Sequence, residues 1–403
     1  MTLVNKNISN LTYLFIISLL LSCSSGQEKK LPQEPISCDI LISNGTIYDG
    51  SGSKPYVGSL AIKDNKIIYV GENTDFQADT VIDATDLAVS PGFINMLSWG
   101  YNSLMDDGRA LSDLKQGVTL EIFGEGTSPG PYWKDGKFTS FGEAMTMLEE
   151  KGVSVNIGSF LGAETTRILE VGYKNRQATP SEMERMRGHV ENSMKEGAMG
   201  IGSSLIYAPG DYASTEELTE LSKVASEYGG MYISHLRSEG TNLLEALEEL
   251  ISISRNANIP AEVYHLKASR EPNWSKLDDV IKRIEEVRKE GLKITADIYT
   301  YNASSTGLTG VIPTWVQEGG HRAWINRMKD PEVRPRLLAD IREQLDEQPP
   351  EGILLVGFKT SKMSRKYLAK TVAEAAAMRG QTPEEAIVDM VIEDDHRIQC
   401  IYF

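Results

Sequence analysis

Between Met231 and Lys267 the chain uses one short phrase twice: Met-Tyr-Ile-Ser-His235-Leu-Arg237 and Ala-Glu-Val-Tyr-His265-Leu-Lys267. Each copy is an apolar strand signal ending in His-Leu-cation, and between them Leu243, Leu244, Leu247, Leu250 and Ile251 recur at helical spacing. Strand, helix and strand in this order make a βαβ unit, which requires parallel strands and a crossover helix over one face. His235 and His265 fall at the same phase of their strands, so both imidazoles are predicted to turn toward one site at the carboxyl ends, where α/β folds place ligands. A lone histidine at a strand end is more often a hydrogen-bonded structural residue, but two in step, among five in the chain, form the pattern of a metal pair. His189, His321 and His396 have no comparable setting and are read as surface or helix residues.

The flanking sequence extends this unit in both directions. Strand signals at Val89–Leu97, Val118–Phe123, Val153–Phe160 and Ala198–Ser203 precede the histidine strands, and Ile294–Tyr299 follows them. Helical segments intervene, among them Arg109–Gln116, closed by Gly117, and the charged Lys276–Glu290. Seven parallel strands with helices between them predict an α/β fold of the (β/α)8 TIM-barrel kind, not a doubly wound sheet. Residues 36–88 differ in texture. Cys38–Gly50 reads as strand, Gly turn and strand, and the strands Gly58–Ile62 and Lys66–Gly71 are joined by an Asp64-Asn65 turn, giving a small β-sheet with one buried and one wet face. Toward the end, Gly352–Gly357 is a further strand signal and Tyr367–Val391 looks helical, with Pro383 at a helix start.

A formal net charge of -16 argues against nucleic acid or an anionic membrane as the main partner. An anionic substrate would need local cations, and Arg237 and Lys267 flank the histidines. At the N-terminus, Lys6 precedes an apolar stretch from Leu11 to Leu21, too short to span a bilayer, that ends in Leu20-Leu21-Ser22-Cys23. This resembles a bacterial lipoprotein signal (residues 1–23) followed by a linker (24–35), and implies a cell-envelope protein held to the membrane only through a lipid on Cys23. Cys38 and Cys400 then remain, and are expected to be unpaired although an oxidising compartment permits a disulfide. The sequence stops at Cys400-Ile-Tyr-Phe403, within an apolar run, from which a C-terminally incomplete barrel (89–403) is expected, lacking its last strand and insoluble or inactive by itself.

Several stretches together resemble the N-acyl-D-amino-acid deacylases (D-aminoacylases) of the amidohydrolase superfamily. They are Asp39-Ile-Leu-Ile-Ser-Asn-Gly-Thr-Ile-Tyr-Asp-Gly, Ser90-Pro-Gly-Phe-Ile-Asn, Leu205-Ile-Tyr207-Ala-Pro-Gly, Ser234-His235-Leu-Arg, His265-Leu-Lys267 and Asp297-Ile-Tyr299-Thr-Tyr301-Asn-Ala-Ser-Ser305. The resemblance implies a metal-bearing (β/α)8 barrel beside a small β-sandwich, half of it supplied by residues 36–88. It implies His235 and His265 as zinc ligands. The family's third ligand is a cysteine at the point where this chain has Gly126, and Glu125 beside it is the expected substitute, with Glu121 a weaker rival. Superfamily members usually carry His-X-His at the first strand's end; here Leu97-Ser98-Trp99 stands there, which predicts one zinc per chain, with Trp99 as a pocket wall.

For the substrate, the resemblance implies Tyr207, Lys267, Tyr299 and Ser305 as binding residues for an amino-acid carboxylate and amide. The implied reaction is hydrolysis of an N-acyl-D-amino acid to a D-amino acid and a carboxylate. The family's general base is an aspartate after the eighth strand, expected here beyond Phe403; Asp297 matches the seventh-strand motif instead. Two other readings stay open, a related cyclic-amide or dipeptide hydrolase and a non-catalytic surface-binding lipoprotein on the same fold.

Overall fold

The structure is a computed structural model that describes residues 35–72 and 75–403. The proposed signal, Cys23 and nearly all of the linker lie outside the described residues. No helix among the described residues is long and apolar enough to cross a membrane. The chain divides into two compact units, one ending at Pro91 and one beginning at Gly92.

The first unit is one sheet. Its central strand, Ile36–Ile47, pairs antiparallel with Tyr56–Lys63 and parallel with Phe76–Asp83 and Ala88–Val89, and Lys66–Gly71 adds to the outer edge of Tyr56–Lys63. Asp64 and Asn65 both have positive φ, as the predicted two-residue turn requires. Asn44-Gly45 is not a turn, contrary to the expectation from sequence. The register slips between Ile42 and Gly45, so the positive φ of Asn44 is absorbed as a bulge and one twelve-residue strand continues through it. Cys38, Leu41 and Ala61 are buried against Tyr69 and Phe76. Cys38 here and Cys400 in the second unit are both buried and free.

The second unit opens with parallel strands in chain order: β1 (Phe93–Asn95), β2 (Val118–Phe123), β3 (Asn156–Ser159, resumed at Leu161–Gly162), β4 (Gly200–Ser204), β5 (Met231–His235), β6 (Ala261–Val263) and β7 (Ile294–Ala296). Each pairs in parallel with the next, and the ladder breaks only at Phe160, between the two parts of β3. No pairing between β7 and β1 is present among the described residues. The crossover after β5 is the helix Leu243–Ala257, whose Leu243, Leu247, Leu250 and Ile251 are fully buried. They pack with Tyr232, Ala261 and Val263 into the largest core, on the helix side of the strands. Alternation sends Ile233, Phe160, Ile122 and Tyr264 to the other face, where they form a separate cluster.

The predicted helix Arg109–Gln116 contracts to Leu111–Leu114. The predicted helical run Tyr367–Val391 is two helices, Val372–Arg379 and Pro383–Asp394, parted at the left-handed Gly380. Ile353–Gly357 is a strand, but an antiparallel one. It flanks Gln399–Tyr402, which pairs on its other side with Ser304–Gly307. The apolar run before Phe403 is thus the middle strand of a sheet, with Cys400 and Tyr402 buried among Leu308, Ile353, Leu355 and Ile387.

Candidate metal site

His235 ends β5 on the inner face, two residues beyond Ile233. Its twin does not sit where the repeated phrase predicts. Ser234 pairs with Val263, which sets His235 level with Tyr264 and leaves His265 one residue out of step, at a phase that would face the helices. His265 reaches the site because its φ is +38°, a left-handed conformation costly for a non-glycine residue. Asp297, just past β7, holds it there: His265 N donates to Asp297 Oδ1 at 2.7 Å. Burial pushes the Asp297 carboxyl above its usual range. Asp297→Ala should release His265 from this conformation at a cost of about 1–3 kcal/mol in stability, read as a lower urea midpoint; an unchanged midpoint would contradict the role given to this bond.

Glu125 follows β2 between two glycines with φ of +108° and +69°. A side chain on Gly124 would lie 2.3 Å from the Phe160 carbonyl, and one on Gly126 would meet Ser204 Cβ at 2.9 Å, so neither place admits a larger residue without rearrangement. The turn aims the Glu125 carboxylate at the imidazoles. Oε1 lies 3.0 Å from His235 Nδ1 and 3.9 Å from His265 Nε2, and the three residues each offer a ligand atom within 4.8 Å of the others. Ser204 Oγ donates to Oε1 at 3.3 Å and the Trp99 indole N–H to Oε2 at 2.9 Å. Trp99 therefore touches the cluster directly, beyond the wall role expected of it. Glu121 is buried but accepts from Ser98 Oγ at 2.7 Å.

The electrostatics suit a cation. Burial alone would raise the Glu125 carboxyl, yet hydrogen bonds with His235 and His265 hold it well below the carboxylate range. Burial would lower His265, and its bonds to Glu125 and Glu239 lift it instead to about 9. The cluster thus sets an ionised carboxylate beside a protonated imidazole, and a dication taking the place of that proton would find two nitrogens and one oxygen, a donor set that fits a zinc-like ion.

Of the substrate residues expected from sequence, the structure brings Tyr207, Lys267 and Tyr299 to the histidines. The Tyr207 ring stands 5.3 Å from His235, its hydroxyl 2.8 Å from Thr306 Oγ1. The Tyr299 ring is 6.4 Å from His265, with Lys267 Nζ 5.5 Å above it. Lys267 is ion-paired with Glu239, so its charge is partly met within the protein. Ser305 is not brought to the cluster by any hydrogen bond: Thr306 reaches Tyr207, while the Ser305 hydroxyl donates to the Cys400 carbonyl at 3.1 Å. Arg237 is consumed by Glu249, at 2.9 Å, and by the carbonyls of Asp211 and Ala213.

Two carboxylates here escaped the sequence reading. Glu239 Oε1 lies 3.0 Å from His265 Nδ1, a nitrogen that Lys267 Nζ also meets at 3.1 Å. Its signal was present, since Glu239-Gly240 repeats the Glu125-Gly126 pattern beyond a strand's carboxyl end. Glu164 is buried behind Gly126, accepting from Ser204 N at 2.7 Å while its Oε2 has no partner. Burial pushes Glu164 up to about 7. A carboxyl raised on folding favours the native state at low pH, and that contribution is lost as pH rises from the ordinary carboxylate range through 7. Glu164→Gln should therefore remove a stability difference on the order of 1–3 kcal/mol between pH 5 and pH 8. Paired urea titrations showing the same pH slope in variant and wild type would refute this.

No model of a known protein family matches the chain. Among curated proteins it is 30% identical to the D-aminoacylase of Alcaligenes xylosoxydans xylosoxydans over 285 residues, 67% of this chain and 59% of that protein. The chain spans about three fifths of the length of the curated relatives it matches. Among solved structures it superposes on the N-acyl-D-glutamate deacylase of Bordetella bronchiseptica, determined with zinc and a phosphonate inhibitor. The TM-score is 0.71 at 22% identity, covering 91% of this chain and 72% of that one. A D-aminoacylase described as defining a novel subset of amidohydrolases gives 0.70 at 24% identity, covering 91% and 71%. These superpositions speak to the fold, and the sequence matches to descent: the chain is homologous to the D-aminoacylases and to the N-acyl-D-aspartate and N-acyl-D-glutamate deacylases.

Proposed function

We propose that the protein hydrolyses the amide bond of N-acyl-D-amino acids, using one zinc ion held by Glu125, His235 and His265, and that its seven-strand series is most of a (β/α)8 barrel. The observation that carries this is the approach of Glu125 Oε1 to both imidazoles, 3.0 and 3.9 Å, at the carboxyl ends of β2, β5 and β6. When bound, such an ion would polarise a scissile carbonyl and make a neighbouring water more acidic. The protein's own residues orient the rest. Tyr207, beside His235 and with its hydroxyl held by Thr306, would line the acyl side of the substrate. Lys267 and Tyr299, beside His265, would hold its carboxylate, with Lys267 sharing its charge between that group and Glu239. Ser305 would join them only if its hydroxyl left Cys400. No residue between 35 and 403 is assigned as proton acceptor; Asp297 spends Oδ1 on the His265 backbone.

With a tryptophan where the superfamily's His-X-His would place its second histidine, the reading is a mononuclear site. The lipid anchor on Cys23 belongs to the same proposal and would present the site in the cell envelope. The test is hydrolysis of matched N-acyl-D- and N-acyl-L-amino acids by the whole protein, before and after chelation and zinc return. Zinc-dependent cleavage of the D series is expected. Zinc binding with cleavage of neither series would favour a binding role, and cleavage of cyclic amides or dipeptides alone a different hydrolase.

A further inference from the structure

The two imidazoles stand at 85° with centroids 4.5 Å apart, and each offers two nitrogens. Toward Glu125 Oε1 they present His235 Nδ1 at 3.0 Å and His265 Nε2 at 3.9 Å. Toward Glu239 Oε1 they present the other two, His265 Nδ1 at 3.0 Å and His235 Nε2 at 3.8 Å. The pair is thus clasped between two carboxylate oxygens, and a dication could in principle sit on either side. What surrounds the two carboxylates decides between them. Glu125 is met, beyond the histidines, by neutral donors, the Trp99 indole and the Ser204 hydroxyl. Glu239 Oε1 is capped by the Lys267 ammonium, and a dication placed there would face a like charge at contact range.

We propose that Glu239 is a positioning residue that assigns the metal to the Glu125 side by holding the remaining N–H of both histidines. Resting on the metal reading above, the inference adds which nitrogen of each ring binds. His265 Nδ1 lies 3.0 Å from Glu239 Oε1 and 3.1 Å from Lys267 Nζ; once Nε2 is given to an ion the ring proton resides on Nδ1, and of these two neighbours only the carboxylate can accept it. His235 supplies an independent observation: Nε2 is buried without a hydrogen-bond partner, although the residue is only 6% exposed. Once Nδ1 of His235 is given to an ion, the ring proton must reside on Nε2, where Glu239 Oε1 stands 3.8 Å away and a small shift completes the bond. One carboxylate then fixes both tautomers. The loop carrying it is anchored for the purpose, because Ser269 N donates to the Glu239 carbonyl at 2.7 Å, tying the loop after β5 to the loop after β6. Lys267 holds Glu239 in place while keeping cations off that side.

The test is zinc affinity by chelator competition for the wild-type chain and for Glu239→Gln and Glu239→Asp, together with nitrogen-15 NMR of the histidines in the zinc-loaded wild type. Glu239→Gln keeps shape but loses charge, and should bind zinc about 10–100-fold more weakly with an unchanged circular-dichroism spectrum; Glu239→Asp, which keeps the charge, should lose less. The spectra should show His235 metallated at Nδ1 and protonated at Nε2, and His265 the reverse. Affinity of Glu239→Gln within threefold of wild type, or metal on His235 Nε2 or His265 Nδ1, would overturn the proposal. Should both variants fail to fold, the wild-type spectra decide alone. A wild-type chain that binds no zinc at all overturns the metal reading itself, and with it this one, whereas normal zinc binding unaffected at Glu239 overturns only the present inference.

Discussion

Glu125→Ala is expected to lose zinc while keeping the fold. The carboxylate supplies the one oxygen of the three-ligand set and draws both imidazoles toward a common point. A structural zinc site contributes roughly 10–16 kcal/mol over its ligands, so removing one of three should cost about 3 kcal/mol or more, upward of a hundredfold in affinity. Titration of the variant with zinc against a competing chelator measures this directly. Binding within tenfold of wild type would mean that the ion, if any, is held elsewhere. The companion Glu121→Ala should leave zinc affinity unchanged, because Glu121 is turned to Ser98 and not to the histidines.

The largest expected loss of stability lies away from the site, at Arg167. Nη1 meets both oxygens of Glu217 at 2.9 and 2.6 Å, and Nη2 donates to the carbonyls of Lys174 and Arg176 at 3.2 and 2.5 Å. Both side chains are almost wholly buried, 1% and 3% exposed, and they join the helices Ala163–Glu170 and Thr215–Glu227. Burial already pushes the Glu217 carboxyl up despite its partner. Arg167→Met leaves that carboxyl with no cation, and should destabilise by about 3–5 kcal/mol in urea unfolding. The double variant Arg167→Met/Glu217→Leu should recover most of this, since a buried ion pair roughly breaks even against an apolar replacement. A single variant as stable as wild type would remove this pair from the account. The same helix carries Glu164 behind Gly126, so a loosened helix should also weaken zinc binding, by less than Glu125→Ala does.

What could be read from the residues follows how local its causes are. The strands Val118–Phe123 and Met231–His235 are bounded in the sequence where they are bounded in space, because apolar runs ending at glycine or at a polar strand end are local signals. The turn that carries Glu125 was legible for the same reason: an acid between two glycines past a strand's carboxyl end is a local signal, and the structure sets its carboxylate beside the histidines. The register of the histidines was not. The repeated His-Leu-cation phrase implies equal phase, but pairing of Ser234 with Val263 is a long-range fact, and the compensating +38° backbone at His265 depends on Asp297, 32 residues away. Asn44-Gly45 misled likewise, since whether a positive φ turns the chain or bulges it depends on the neighbouring strand. Lys267 was visible as a cation beside a histidine, but its ion pair with Glu239 was not, because that contact bridges two loops.

The most direct measurement is anomalous diffraction at the zinc edge from crystals of the zinc-loaded protein. The account predicts a single peak about 2.0–2.2 Å from a Glu125 oxygen, His235 Nδ1 and His265 Nε2. A peak on the Glu239 side, two peaks, or none at full zinc loading would contradict it.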